Sequence, residues 1–301
     1  MILNTVNMIH PRDWHKAGKY FTYNHQQVFY REEGKGEVLL CVHGFPTSSW
    51  DWQAIWAEVI SRYKVIAPDM LGFGFSDKPR KYKYSIHDQA ELHEQLLKKL
   101  GIHSVHLLAH DYGDTVAQEL LARHNEREAK GDNSLIIKSL VLLNGGIFPE
   151  MHRARPIQKL LESPIGFVVA KAYGEDKFRD SFSSVFGSES KPSLEELKHF
   201  WSMMHYQKGN LILHKLIHYM ADRRKYRDRW VNALIETHIP LRLINGPEDP
   251  VSGRHAAERY QELIPNPDVV LLDKIGHYPQ TEDPQGVLKA YLEFREKLKT
   301  K

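Results

Sequence analysis

The sequence predicts an α/β protein, a mostly parallel sheet flanked by helices and interrupted by an inserted helical segment. Three observations carry this. Four short runs, "EVLLCVHG", "YKVIAPDM", "SVHLLAHD" and "IKSLVLLNGG", are nearly continuous in apolar residues, as strands covered on both faces should be. Helical patterns lie between them, clearest over 86–100, where Ile86, Ala90, His93, Leu97 and Leu100 recur at helical spacing before Gly101. The alternation stops from about Pro149 to Trp230, then resumes in "PLRLINGPEDP", "DVVLLDKIGH" and a last helix near 284–298.

Strands alternating with helices imply a parallel sheet with crossover connections. The interruption is aromatic-rich, broken by Pro156, Pro164, Gly166, Gly174, Gly187 and Pro192, and holds no convincing buried strand. The β-runs on its two sides resemble each other. We therefore read one core domain, residues 1–148 and 231–301, with a helical cap over 149–230 inserted in it, rather than two successive domains. Near the start, "KYFTYN" and "QQVFYRE" flank Asn24 and His25 and predict an antiparallel hairpin at a sheet edge.

Composition narrows the function classes. With 42% hydrophobic and 26% charged residues the chain is an ordinary globular protein, and a net charge of +3 from 41 basic and 38 acidic residues argues against a nucleic-acid partner. The densest basic run, Arg223, Arg224, Lys225, Arg227 and Arg229, is interleaved with Asp222, Tyr226 and Asp228, and reads as a solvated helix face. The single cysteine, Cys41, excludes an internal disulfide and reads as a buried thiol, which fits a reducing cytoplasm. The stretch "MILNTVNMIHPRDWHKAGKY" lacks the pattern of a secretory signal, and no window approaches 18 uninterrupted apolar residues. The expectation is a soluble cytoplasmic protein, monomer or homodimer, without a membrane partner. Walker, CxxC and HExxH patterns are absent, and Gly72-x-Gly74 lacks a third glycine and a helix start, so it reads as a turn beside the site. Neither metal nor cofactor is expected.

The segment Ala109-His110-Asp111-Tyr112-Gly113 places small residues two positions either side of Asp111, at the junction of a strand and a helix. This is the nucleophile-elbow pattern G-x-S-x-G with Ala for the first Gly and Asp for the Ser, and no G-x-S-x-G occurs elsewhere in the chain. Alternatively, Asp111 only caps the helix. Two further residues favour the elbow: Asp249 follows a later apolar run in "INGPEDPVSG", and His277 the next one in "LLDKIGHYPQTEDP". In a parallel sheet all three would gather at the carboxyl edge of the strands, in the chain order nucleophile, acid, histidine. Asp249 is preferred to Glu248 because Pro250 follows it in a tight loop, where it could also serve as a turn-forming Asp. Backbone N–H groups of Phe45, after His43-Gly44 in "CVHGFPTSSWDW", and of Tyr112 would form an oxyanion hole.

In these motifs the chain resembles the α/β-hydrolase fold from about residue 20 to its end. "HGFP", "GFGFSDKP", "HDYG", "EDP" and "GHYPQTEDP" are similar to the epoxide hydrolase and haloalkane dehalogenase superfamily. Within it the nearest branch is that of the hydrolases similar to the mesoderm-specific transcript protein, on the segments 43–49, 111–121 and 144–150. The resemblance implies a mobile helical lid and the roles of nucleophile for Asp111, acid partner for Asp249 and base for His277. Dehalogenases of haloalkanes usually carry Trp after the nucleophile and often Asn after His-Gly; this chain has Tyr112 and Phe45. The Arg that follows the nucleophile in fluoroacetate-dehalogenating relatives is also missing. Epoxide hydrolases pair HGFP with two lid tyrosines, for which Tyr219 stands where the second is expected, with Tyr173 and then Tyr206 as weaker candidates for the first. Packing is the alternative for each.

The chemistry follows from the residue type. An aspartate, with a pKa of about 3.9, is already anionic at neutral pH and attacks without a base. Attack on an ester would give an anhydride that collapses back, whereas attack on the saturated carbon of an epoxide or alkyl halide gives an ordinary ester. His277, oriented by Asp249, would then activate water against that ester. His43, Phe45, Trp50, Trp52, Phe148, Trp201 and Tyr278 suggest an apolar pocket for a small apolar substrate. The reading is an epoxide hydrolase, with a dehalogenase of the same fold as one alternative and a binding protein that keeps the fold without turnover as another.

Overall fold

The computed structural model describes residues 8–300. Among them eight strands form one sheet: β1 Lys19–Tyr23, β2 Gln26–Glu33, β3 Val38–Val42, β4 Lys64–Pro68, β5 Ser104–Ala109, β6 Ile136–Leu142, β7 Leu241–Asn245 and β8 Val269–Leu271. Their order across the sheet is β1-β2-β4-β3-β5-β6-β7-β8. β1 pairs with β2, and β2 with β4, in the antiparallel sense, and every later pairing is parallel. The expected hairpin is the β1–β2 pair at one edge, and Asn24 and His25 both take positive φ (46° and 63°), the geometry a two-residue turn needs to match strand twist.

β3, β4, β5 and β7 are buried after their first residue, which is why their sequences show no alternation. β8 is the other edge. It is short and half-exposed, so its apolar run covers less than its composition promises. The helix Ile86–Lys99 begins on Ser85, whose side chain accepts from the Asp88 N–H, and turns off at Gly101 with φ 67°. Cys41 lies buried in β3, and burial pushes its thiol pKa up.

Between β6 and β7 the chain is helical, as the sequence suggested, through Pro156–Glu162, Gly166–Ala172, Glu175–Ser183, Leu194–His205 and Tyr219–Lys225. Position 230 falls inside the helix Arg227–Glu236, where Trp230 is buried and donates to Glu119 Oε2 at 2.8 Å. Residues 1–7 of the stretch read for targeting lie outside the described residues; further along it, Pro11–Lys16 forms a short helix. Among the described residues no helix is long and apolar enough to cross a membrane.

Candidate active site

Parallel strands deliver their following loops to one edge of the sheet. Phe45 follows β3, Asp111 follows β5, Asn144 follows β6, Asp249 follows β7 and His277 follows β8. Asp111 sits at φ 49°, ψ −106°, a strained conformation for a residue with a Cβ, directly before the helix Tyr112–Glu128. Its side chain makes no capping bond to that helix, which removes the capping alternative. The turn needs small neighbours: a Cβ on Gly113 would lie 2.2 Å from the Val42 carbonyl oxygen, and one on Gly145 2.9 Å from Asp111 Cα.

The side chains expected to converge do so. His277 Nδ1 donates to Asp249 Oδ2 at 2.7 Å, and His277 Nε2 stands 3.9 Å from Asp111 Oδ1. The Phe45 N–H donates to Asp111 Oδ2 at 3.0 Å. The Tyr112 N–H, the next along the chain from Asp111, has no hydrogen-bond partner among the described residues. Asp249 Oδ2 also accepts from Asn144 Nδ2, Ser252 Oγ and the Ser252 N–H, and Asp249 Oδ1 from the Val251 N–H, so its tight turn and its bond to the histidine coexist. Glu248 points elsewhere, accepting from the Ser188 N–H at 2.7 Å.

These contacts fix the charge states. Burial alone would raise the Asp249 carboxyl, but the His277 charge and bond, with the Ser252 and Val251 donors, bring its pKa down to about 2. Burial alone would lower His277, yet Asp249, then Asp111 and Glu282, raise it to about 9. For Asp111 burial is again opposed, by His277, Arg223, His110 and the Phe45 N–H, and the net shift is downward. The resting site is therefore a carboxylate facing an imidazolium that a second carboxylate holds in place.

Sequence reasoning missed three residues here. Arg223 does not belong to a solvated face: it is buried, donates from Nη2 to the Asp111 carbonyl at 2.9 Å and from Nε to Thr115 Oγ1 at 2.7 Å, and lies 3.6 Å from Asp111 Oδ1. Its guanidinium covers the Tyr219 ring at 4.5 Å, one helical turn back. Gly146 makes room for it, since a Cβ there would lie 2.1 Å from Nη1. Asn144 accepts the Asp111 N–H on its carbonyl and bonds both Asp249 and Gly246 through its amide, tying the loops after three strands together. Glu282 accepts from the N–H groups of Gly187, Gly276 and Tyr278 and from Ser190 Oγ, pinning the histidine loop to the helical segment. Asn144 and Glu282 stood in plain view in "NGG" and "GHYPQTE"; nothing in the pattern of the basic run singles out Arg223.

The cavity above Asp111 and His277 is walled by Phe45, Pro46, Ile157, Leu161, Phe178, Phe182, Val185, Leu213, Val251 and Tyr278, with Arg155, Gln158, Tyr173 and Ser181 as its polar members. Of the residues expected there, Phe45 and Tyr278 line it and five do not. His43 is buried beneath the loop, its Nδ1 donating to the Gly44 carbonyl and its Nε2 accepting from the Met70 N–H. Trp50 donates to the Ile9 carbonyl and packs on Phe200. Trp52 and Phe148 are buried in the core, and Trp201 stacks on His205. Tyr206 packs on Phe75, away from the cavity. Tyr219 is not in the cavity wall: it is buried behind it with its ring against Tyr112 and Phe45, and its hydroxyl accepts at 3.3 Å from Nε2 of Gln158, which does line the cavity. Tyr173 lines the cavity and shares a hydrogen bond with Ser181 Oγ at 2.6 Å. The Gly72–Gly74 turn lies beside the site, where Phe73 touches both Tyr112 and Phe45. Among the described residues no group of three His, Cys, Asp or Glu side chains could hold a metal ion.

A parallel sheet with an elbow after β5 and an acid and a histidine after later strands defines a hydrolase-type scaffold, and the chain belongs to the alpha/beta hydrolase fold family, which it matches over residues 37–284. It is 44% identical over 292 residues to the mesoderm-specific transcript homolog protein of Bos taurus, covering 93% of this chain and 86% of that protein. Among solved structures, the haloalkane dehalogenase DbeA from Bradyrhizobium elkani superposes with a TM-score of 0.78 at 22% identity, over 94% of this chain and 98% of that one. The epoxide hydrolase CorEH does so with a TM-score of 0.71 at 20% identity, over 93% and 99%. At such identities the likeness speaks for the fold alone.

Proposed function

We propose that this chain is an epoxide hydrolase that works through an alkyl ester on Asp111, under a cap formed by residues 149–230. The observation that carries the reading is the Asp111 carboxylate itself: one oxygen is held by the Phe45 N–H at 3.0 Å and the other stands 3.9 Å from His277 Nε2. Asp111 attacks an epoxide carbon, the C–O bond of the ring breaks, and the alkoxide takes a proton from a tyrosine. Tyr219 suits that role. Burial, then the Asp111 charge, raises its phenol pKa, so the proton is present at neutral pH, and its hydroxyl accepts from Gln158 with its own hydrogen free to donate. Tyr173 is the second candidate donor, from the cavity wall.

The ester then breaks. Forming it removes the negative charge of Asp111, one of the groups that raise His277, so the imidazole loses its proton more readily once the substrate is attached. Neutral His277 takes a proton from water, the hydroxide adds to the ester carbonyl, and the N–H groups of Phe45 and Tyr112 hold the oxyanion. Collapse expels the diol and restores the carboxylate. The apolar walls suit a small apolar epoxide. A dehalogenase would need paired donors for a departing halide. The Phe45 side chain has no donor, and none of Tyr112, Trp50 and Trp201 lines the cavity.

The test is a single turnover in water enriched in ¹⁸O with excess enzyme. The label is expected in the Asp111 side chain and not in the diol, because the diol oxygen comes from the aspartate. In the His277→Gln variant the ester should persist, its breakdown slowed on the order of a thousandfold, and be visible by intact mass. Label appearing in the diol at first turnover would overturn the covalent route.

A further inference from the structure

We infer that the outer face of the two helices Pro156–Glu162 and Gly166–Ala172 docks on a lipid bilayer surface carrying anionic headgroups. Large apolar side chains seldom gather in the open on a protein that meets only water. Of the eight that are exposed among the described residues, four fall within 160–168: Leu160 at 47%, Ile165 at 57%, Phe167 at 60% and Val168 at 50%. The turn between the two helices is tight, since a Cβ on Gly166 would lie 2.0 Å from the Leu161 carbonyl oxygen, and it keeps the four exposed side chains within one short stretch of chain.

Charge identifies the occupant. Over residues 153–172 the chain carries Arg153, Arg155, Lys159 and Lys171 against one acid, Glu162. Glu162 is already paired with Arg224, whereas none of the four cations has a carboxylate within ion-pair reach among the described residues. Exposed apolar groups interspersed along the chain with unpaired cations match the boundary layer of an anionic bilayer, where apolar side chains enter the acyl region and lysines stay at the headgroups. A second copy of the same face would bring four unpaired cations against four more.

The patch is also continuous with the site. Ile157, Gln158 and Leu161 turn inward from the first helix to line the cavity, and Leu160 turns outward from the same helix; Arg155 lines the cavity at its start. A bilayer on the outer face would lie against the roof of the pocket. The absence of a spanning helix bears on a different question, because surface docking needs only a few side chains.

The test uses the full chain sedimented with vesicles of phosphatidylcholine, alone or with a third of phosphatidylglycerol. Binding to the anionic vesicles and its loss at high salt are expected. Phe167→Glu with Val168→Glu should lower the bound fraction by about tenfold or more, and Lys159→Glu with Lys171→Glu should abolish the preference for phosphatidylglycerol. Leu194→Glu, at the most exposed leucine elsewhere, should change nothing. Wild-type chain that stays in the supernatant, or patch variants that sediment like wild type, would overturn the inference. So would a concentration-dependent dimer that Phe167→Glu dissociates, which would make the face a contact between copies.

Discussion

At the scale of single residues, the decisive fact is the ionisation of Asp111 in a buried place. Burial pushes its carboxyl up, and His277 first and Arg223 second more than reverse that push. Arg223 also holds the carbonyl of the same residue, so one side chain from the helical segment steadies both the strained backbone of the elbow and its charge. Arg223→Met is therefore expected to move the acid limb of the alkylation rate to higher pH, with Arg223→Lys between it and wild type. Single-turnover alkylation measured across pH reads this, and an unmoved limb would show that His277 and the Phe45 N–H suffice. The convergence of Asp111, Asp249 and His277 was legible because each lies in the loop after an apolar run, and strand ends are what hydrophobic patterning locates best. Arg223 was not legible, because patterning along one helix cannot reveal which foreign loop that helix covers. Trp50 and Phe148 were misread for the same reason: they are near the site in sequence but spent on packing the core.

Elements supply the second level of control, and the histidine loop is the clearest case. A short helix, Pro279–Glu282, ends on a carboxylate that accepts three backbone N–H groups and a hydroxyl from both sides of the junction between the histidine loop and residues 187–190. The His277 N–H itself donates to the Val185 carbonyl at 2.9 Å. Gly276 and Gly187 permit this approach, since a Cβ on Gly276 would lie 2.3 Å from the Gly187 nitrogen. Replacing Glu282 with Gln turns an amide N–H toward donors and is expected to cost about 2 kcal/mol in chemical denaturation. Because the loop positions only His277, the proposed base, steady-state turnover should fall on the order of tenfold while the burst of alkylation keeps its amplitude. Equal loss in both phases would mean that Glu282 supports the whole cavity rather than the base. The β1–β2 hairpin and the strands were readable from local pattern; this clamp joins residues about 90 positions apart, and no local pattern carries that.

For the molecule as a whole, the sequence order of strands and the interruption between β6 and β7 were enough to anticipate the sheet and its helical insertion, while the way the insertion is fastened was hidden in ordinary charged residues. Glu119, on the helix after the elbow, accepts from Arg123, Arg229 and Trp230 and pairs with His87, so one buried carboxylate joins the helices Ile86–Lys99, Tyr112–Glu128 and Arg227–Glu236. Burial would raise its pKa, but those bonds outweigh burial and depress it far below the model-peptide value of 4.5. A depressed carboxyl contributes stability that is present above its unfolded pKa and is lost as pH falls through the folded one. Glu119 and Asp249 therefore both predict progressive destabilisation below about pH 4.5. Glu119→Gln should cost about 2 kcal/mol at neutral pH and flatten the acid side of the stability curve. The loss stays moderate because Arg123 keeps Glu91 and Glu94, and Arg229 keeps Glu126, so no cation is left unpaired. Denaturant melts of wild type and variant at a series of pH values decide it: curves that stay parallel below pH 4.5 would remove Glu119 from the acid response and leave the fastening of these helices to packing alone.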